Sequence, residues 1–144
     1  MRKVQRGLFG IMKKFEILEH IADLKIKTFG KDLKELFLNA LLGMYKGAGY
    51  SGEGEKIKRE IEISSFDLPA LLVDFLSKVL YLTETEQEVY QKIQFQECGE
   101  KHIKAVLIGQ KLKKIETQIK GVTYHDLKVK KLDNRWQAVV LFDI

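Results

Sequence analysis

Residues 68–80 constrain the fold more than any other stretch of the chain. Leu68, Leu71, Leu72, Phe75, Leu76, Val79 and Leu80 recur at helical spacing, and Ala70 and Val73 widen the stripe. The result is a helix apolar most of the way round. A surface helix is apolar on one stripe only, so this one must be the buried centrepiece of a larger structure. Asp67 is placed to cap it, and Pro69 is tolerated in its first turn. A second helix is predicted after Asp32, where Glu35 follows at capping-box spacing. Its apolar face carries Leu33, Leu36, Phe37, Ala40, Leu41 and Met44, and it should end near residues 43–47.

The remaining apolar runs read as strands. Phe15-Glu16-Ile17-Leu18 is short, and residues 19–23 interrupt it. Residues 24–29 and 56–63 alternate as half-buried strands do. Residues 89–95, 103–108, 122–129 and 136–142 follow, with turns at Cys98-Gly99-Glu100 and Asp133-Asn134. Residues 110–119 fit either a continued strand or a loop. The glycine-dense stretch 47–54 lacks the G-x-x-x-x-G-K-[ST] order of a phosphate loop and is expected to be a flexible connector. Residues 136–142 are largely apolar on both faces, which predicts a central, covered strand. The fold class is therefore α+β, with two main helices packed on a mixed, mostly antiparallel sheet.

A chain of 144 residues has the length of one domain with a real core. Residues 15–144 are expected to form it, with 1–14 a short N-terminal extension. No stretch approaches the roughly 18 apolar residues of a membrane span. The basic opening, Met1-Arg2-Lys3, is followed by an apolar part too short for a signal peptide. Cys98 is the sole cysteine, which excludes an internal disulfide and a cysteine-based zinc site. Together these predict a cytoplasmic protein without membrane contact. The net charge of +5 points towards an acidic partner such as nucleic acid. Lys111, Lys113, Lys114, Lys120, Lys128, Lys130 and Lys131 form the one basic cluster, to be read as a solvated face or as an RNA contact without aromatic interleaving.

Four places could carry chemistry. Asp143 and the terminal carboxylate of Ile144 close the apolar run, and two held like charges repel unless a cation neutralises them. A hard divalent ion prefers such oxygen ligands, while a solvated terminus needs none. His20 and Asp23 could supply a metal ligand and its supporting partner, or simply form a turn. His125 and Asp126 are adjacent, and strand neighbours point to opposite faces, so simple pairing between them is not expected. No serine or cysteine nucleophile accompanies them, which argues against a triad hydrolase. Asp74 is placed to pair with Lys78 one helical turn on.

Four segments in order resemble the archease family. Phe15-Glu16-Ile17-Leu18-Glu19-His20-Ile21-Ala22-Asp23 is similar to its F-E-x-x-x-H-T-A-D opening. Leu71-Leu72-Val73-Asp74-Phe75-Leu76-Ser77-Lys78-Val79-Leu80-Tyr81-Leu82 is similar to its L-L-V-D-W/F-L-x-x-L-L-Y-L helix. Ile119-Lys120-Gly121-Val122-Thr123-Tyr124-His125 matches I/V-K-A-V-T-Y-H, and the closing segment to Asp143-Ile144 matches V-V-x-D-[IV]. Ile21, Lys25 and Gly121 depart from the family's Thr, Gly and Ala. The loss of the Thr hydroxyl removes a hydrogen bond available beside Asp23.

The resemblance implies an accessory protein, not an enzyme. Archeases assist the RtcB-type RNA ligase of tRNA splicing and RNA repair by promoting its guanylylation and turnover. It further implies a calcium-type or other divalent metal site at Asp23, Asp143 and Ile144, with His20 in support, and an activation role for Lys120. These carboxylates supply fewer than the roughly 6–8 oxygens calcium takes, so the implied site is open. The alternatives are a small metal-dependent phosphohydrolase using Asp23, Asp143 and His20 or His125, and a basic RNA-binding module, built on the lysine cluster, that meets tRNA directly.

Overall fold

The computed structural model describes residues 13–18 and 23–144. Among them the order is β1 (Phe15–Leu18), β2 (Asp23–Gly30), α1 (Leu33–Ala48), β3 (Ser51–Ser64), α2 (Leu68–Glu86), β4 (Glu88–Cys98), β5 (His102–Lys114), β6 (Gly121–Leu132) and β7 (Arg135–Asp143). The expected α+β class holds, but the strands form two sheets instead of one. A four-stranded sheet runs β1-β2-β7-β6 and a three-stranded sheet runs β3-β5-β4. Every pairing is antiparallel, so the mixed sheet of the sequence reading is not seen.

Both helices touch strands of both sheets, which makes them a middle layer. That layer explains the apolar circumference of α2. Leu71, Leu72, Phe75, Leu76 and Val79 are wholly buried, and Leu68, Ala70 and Val73 nearly so. Each large aliphatic or aromatic side chain of this set stabilises the fold by about 1.5–3 kcal/mol relative to exposure. Phe75 meets Phe37 of α1 edge to face at 5.3 Å between centroids. As predicted, β7 lies inside its sheet, between β2 and β6.

Local signals act largely as read. Asp32 caps α1 by accepting from the Glu35 N–H at 2.9 Å, and Asp67 caps α2 by accepting from the Ala70 N–H at 2.9 Å. The capping box is displaced by one residue, because Glu35 Oε1 accepts from the Lys31 N–H. Asp74 accepts from Ser65 Oγ at 2.6 Å instead of pairing with Lys78, whose ammonium lies over the Tyr81 ring. Stretch 47–54 is not a free connector. Gly49 ends α1 in the left-handed region (φ 71°), and β3 begins at Ser51, with Gly52 paired to Leu112. Gly109 lets β4 and β5 approach at a bulge, since a Cβ there would lie 1.9 Å from the Val89 carbonyl oxygen.

Glu88, on β4 of the three-stranded sheet, is a buried carboxylate held by several partners. Arg59 grips it with Nε and Nη2 at 2.9 and 2.8 Å, and Tyr90 donates its hydroxyl to it at 2.8 Å. The Arg59 hydrogen bond is the main cause of its pKa lying below the ordinary carboxylate value.

Candidate functional site

Antiparallel register builds the site. Asp23, the first residue of β2, is paired directly with Asp143, the last residue of β7. On the other side of β7, Asp143 is paired with Gly121, the first residue of β6. Paired residues share a face and hold their Cβ atoms roughly 4.5–5.5 Å apart. Two carboxylates 120 positions apart in sequence are thus brought to one end of one sheet face, and Ile144 follows at once. Leu24, Ile26 and Thr28 alternate with this face and are buried against the helices, as are Phe142, Val140 and Ala138. The buried alternation fixes the register, because a one-residue slip of either strand would expose its buried side chains and turn its aspartate inward.

Lys120 reaches the same place by a different route. Its N–H donates to the Asp143 carbonyl at 2.7 Å. The preceding Ile119 is wholly buried, and its N–H donates to the Tyr50 hydroxyl at 3.0 Å. Burial pushes the Tyr50 phenol pKa up, which keeps that hydroxyl neutral. The loop is held further along by Glu116 N–H on the Gly49 carbonyl (3.2 Å) and Thr117 N–H on the Ala48 carbonyl (2.9 Å). The end of α1 therefore anchors the loop that carries Lys120, and Lys120 itself is left exposed. Residues 110–119, ambiguous in sequence, divide into the end of β5 and this loop.

The expected separation of His125 and Asp126 is overturned. A bulge between Thr123 and Lys128 inserts extra residues in β6, and Asp126 sits in the left-handed region at φ 56°. This breaks the strand alternation and brings His125 Nε2 to 3.6 Å from Asp126 Oδ2. Asp126 also lies 3.8 Å from Lys25 Nζ on β2. The bulge was not legible, since no glycine or proline marks it. His20 lies outside the described residues, as do residues 19, 21 and 22.

The donor set fits a hard divalent cation better than a soft one. Asp23, Asp143 and the Ile144 carboxylate would offer only oxygen, while the described residues hold no group of three or more His, Cys, Asp or Glu side chains arranged to bind a metal ion. Like charges placed directly opposite in a sheet repel, and an oxygen-seeking cation between them would relieve that repulsion.

The single basic cluster expected from sequence is divided. Lys113 and Lys114 at the end of β5 pair with Glu53 and Glu116, and Lys131 lies over the Trp136 ring. Lys128 and Lys130 instead join Lys27 on the face that carries the aspartate pair.

Comparison with known proteins places this arrangement. The model of the archease protein family matches residues 15–144. The protein archease of Methanosarcina mazei is 42% identical over 144 residues, covering 92% of this chain and 97% of its own length. That of Pyrococcus abyssi is 35% identical over 143 residues, covering 92% and 100%. The solution structure of protein 1598 from Methanobacterium thermoautotrophicum superposes with a TM-score of 0.66 at 25% identity, covering 92% of this chain and all of that one. A Thermotoga maritima archease described as a possible chaperone shares the fold, with a TM-score of 0.66 at 20% identity over 94% of this chain. No helix among the described residues is long and apolar enough to cross a membrane. By sequence, by fold and by the order of its motifs, the chain belongs to the archease family.

Proposed function

We propose that this chain is an accessory protein of an RtcB-type RNA ligase, promoting guanylylation of the ligase and its turnover in tRNA splicing or RNA repair. It acts in the cytoplasm and performs no ligation itself. The observation that carries the reading is the register that pairs Asp23 with Asp143 beside the backbone anchor of Lys120. The family resemblance assigns Asp23 and Asp143 to a metal site and Lys120 to activation.

Asp23, Asp143 and the Ile144 carboxylate would hold a calcium ion or another divalent metal. When bound, such an ion supplies concentrated positive charge with open coordination positions suited to phosphate oxygens. Lys120, exposed and tethered next to Asp143, supplies a mobile point charge for a phosphate on the partner. A His–Asp pair without a serine or cysteine nucleophile gives no support to a triad hydrolase, and the metal-dependent phosphohydrolase is separated by assay.

The test is guanylylation of an RtcB-type ligase with and without the chain, beside the Lys120→Ala variant. Stimulation by the native chain and its loss in a folded variant support the proposal. Phosphoester turnover by the pure chain with metal and no ligase would favour the enzyme alternative.

A further inference from the structure

The outer face of the four-stranded sheet, turned away from the helices, has an order that the metal reading does not use. Its first cross-strand row is Asp23, Asp143 and Gly121. The next is Lys25, Leu141 and Thr123, then Lys27, Val139 and Lys128, then Phe29, Gln137 and Lys130. The face is therefore acidic at one end and basic along its middle. Lys27, Lys128 and Lys130 rim a shallow depression of about 230 Å³ floored by Gln137, Ala138 and Val139.

The geometry of the rims is regular. Residues two apart on a strand are roughly 6.7 Å apart, and strands flanking a common neighbour are roughly 9.5 Å apart. Lys27 and Lys128 thus face each other across Val139, with Lys25 and Lys130 extending the two rims in opposite directions. The acidic neighbours are few. Glu16 is paired with Lys27 across β1 and β2, but it holds Lys13. Asp126 sits beside Lys25. Among the described residues, Lys27, Lys128 and Lys130 form no ion pair. Among the described residues, Lys27 lies over the Phe29 ring, at 5.8 Å.

We infer that this groove holds the phosphate backbone of a single-stranded nucleic acid. Facing rims of lysine on a shallow floor suit one chain of phosphates, repeated at intervals lysines two apart can follow. A duplex would reach only the rim, and no concave wall shapes the groove for a folded acidic protein. That the strand is RNA rests on the RNA-ligase reading above.

Fluorescence anisotropy with a fluorescein-labelled single-stranded RNA of about 12 nucleotides, in chelator and without ligase, tests the groove. Affinity should fall with salt at a logarithmic slope of about −2, the value for three phosphates neutralised on a single strand. Each of Lys27→Gln, Lys128→Gln and Lys130→Gln should reduce the slope by about 0.7. The triple variant, checked by circular dichroism, should bind at least tenfold more weakly. A control triple with equal charge loss on the other sheet, Lys58→Gln with Lys92→Gln and Lys104→Gln, should change little.

Equal weakening by the control overturns the inference, as does an unchanged slope in the single variants. No measurable binding by the native chain at 50 mM salt overturns it too. So does tighter binding of the matching duplex, or equal competition by poly-glutamate. Since ligase and metal are absent, failure here leaves the guanylylation test untouched, and the reverse also holds.

Discussion

Asp23 and Asp143 are direct cross-strand partners, the first residue of β2 against the last residue of β7. The same Asp143 accepts the Lys120 N–H through its carbonyl. One residue thus touches, by register and by backbone, both other residues proposed to act. Asp23→Asn and Asp143→Asn should each weaken divalent-ion binding at least tenfold, from a starting affinity on the order of 10⁻⁵–10⁻³ M. Isothermal titration with calcium reads this directly. Stability without metal should hold or rise slightly for Asp143→Asn, which removes one of two opposed like charges.

Lys120 and Tyr50 separate chemistry from placement. Lys120→Ala removes an exposed ammonium and keeps the backbone bond to Asp143, so thermal stability should shift by no more than about 0.5 kcal/mol. Ligase stimulation should nevertheless be lost. Tyr50→Phe leaves the buried Ile119 N–H without its acceptor, which costs about 1–3 kcal/mol. It should lower stimulation only in part, because the lysine is loosened and not removed. Denaturant unfolding alongside the guanylylation assay distinguishes the two patterns.

Glu88 gives the fold a pH dependence of known sign. Its pKa is lowered in the folded state, chiefly by the Arg59 hydrogen bond. The stabilisation is therefore complete above the ordinary carboxylate range and is lost as pH falls through the lowered pKa. Glu88→Gln should destabilise the protein by about 1–3 kcal/mol near neutral pH, since it removes the buried charged acceptor of Arg59 and leaves that guanidinium only the exposed Glu86 carboxylate. The gap to the native chain should narrow as the pH falls below the ordinary carboxylate range and through the lowered pKa, where native Glu88 is itself neutralised. Urea unfolding across pH 3–7 measures it.

Gly49 ends α1 at φ 71°, and its carbonyl receives the Glu116 N–H of the loop that carries Lys120. A Cβ at this position would also lie 2.5 Å from the Glu116 side chain. Gly49→Ala should destabilise the chain by more than about 1 kcal/mol and disturb the loop with it. Amide exchange of residues 115–120 should quicken in this variant.

Much of the fold was legible because its signals are local. Asp32 and Asp67 cap by short-range hydrogen bonds, and the stripe on α2 is a pattern within one helix. The strands ran longer than read, since the ends of β5 and β6 are lysine-rich and carry no apolar alternation. The two-sheet arrangement was hidden because burial patterns say which residues are covered and not which strands pair. The bulge at Asp126 was hidden for a related reason: a left-handed aspartate has no fixed sequence mark. The site followed the same division. Spacing alone left Asp143 and Ile144 between a ligand pair and a solvated end, and only the family resemblance joined them to Asp23. The register of β2 on β7 then supplied the proximity.

The most direct measurement uses the carboxylate of Ile144. Guanylylation of an RtcB-type ligase should be compared with the native chain and with one extended by a few Gly-Ser residues after Ile144, both checked for folding. The account predicts that the native chain stimulates guanylylation, and that the extended chain binds calcium more weakly and stimulates poorly. Equal calcium binding and equal stimulation by the two would contradict a ligand role for that carboxylate. Absence of stimulation by the native chain would contradict the ligase role itself.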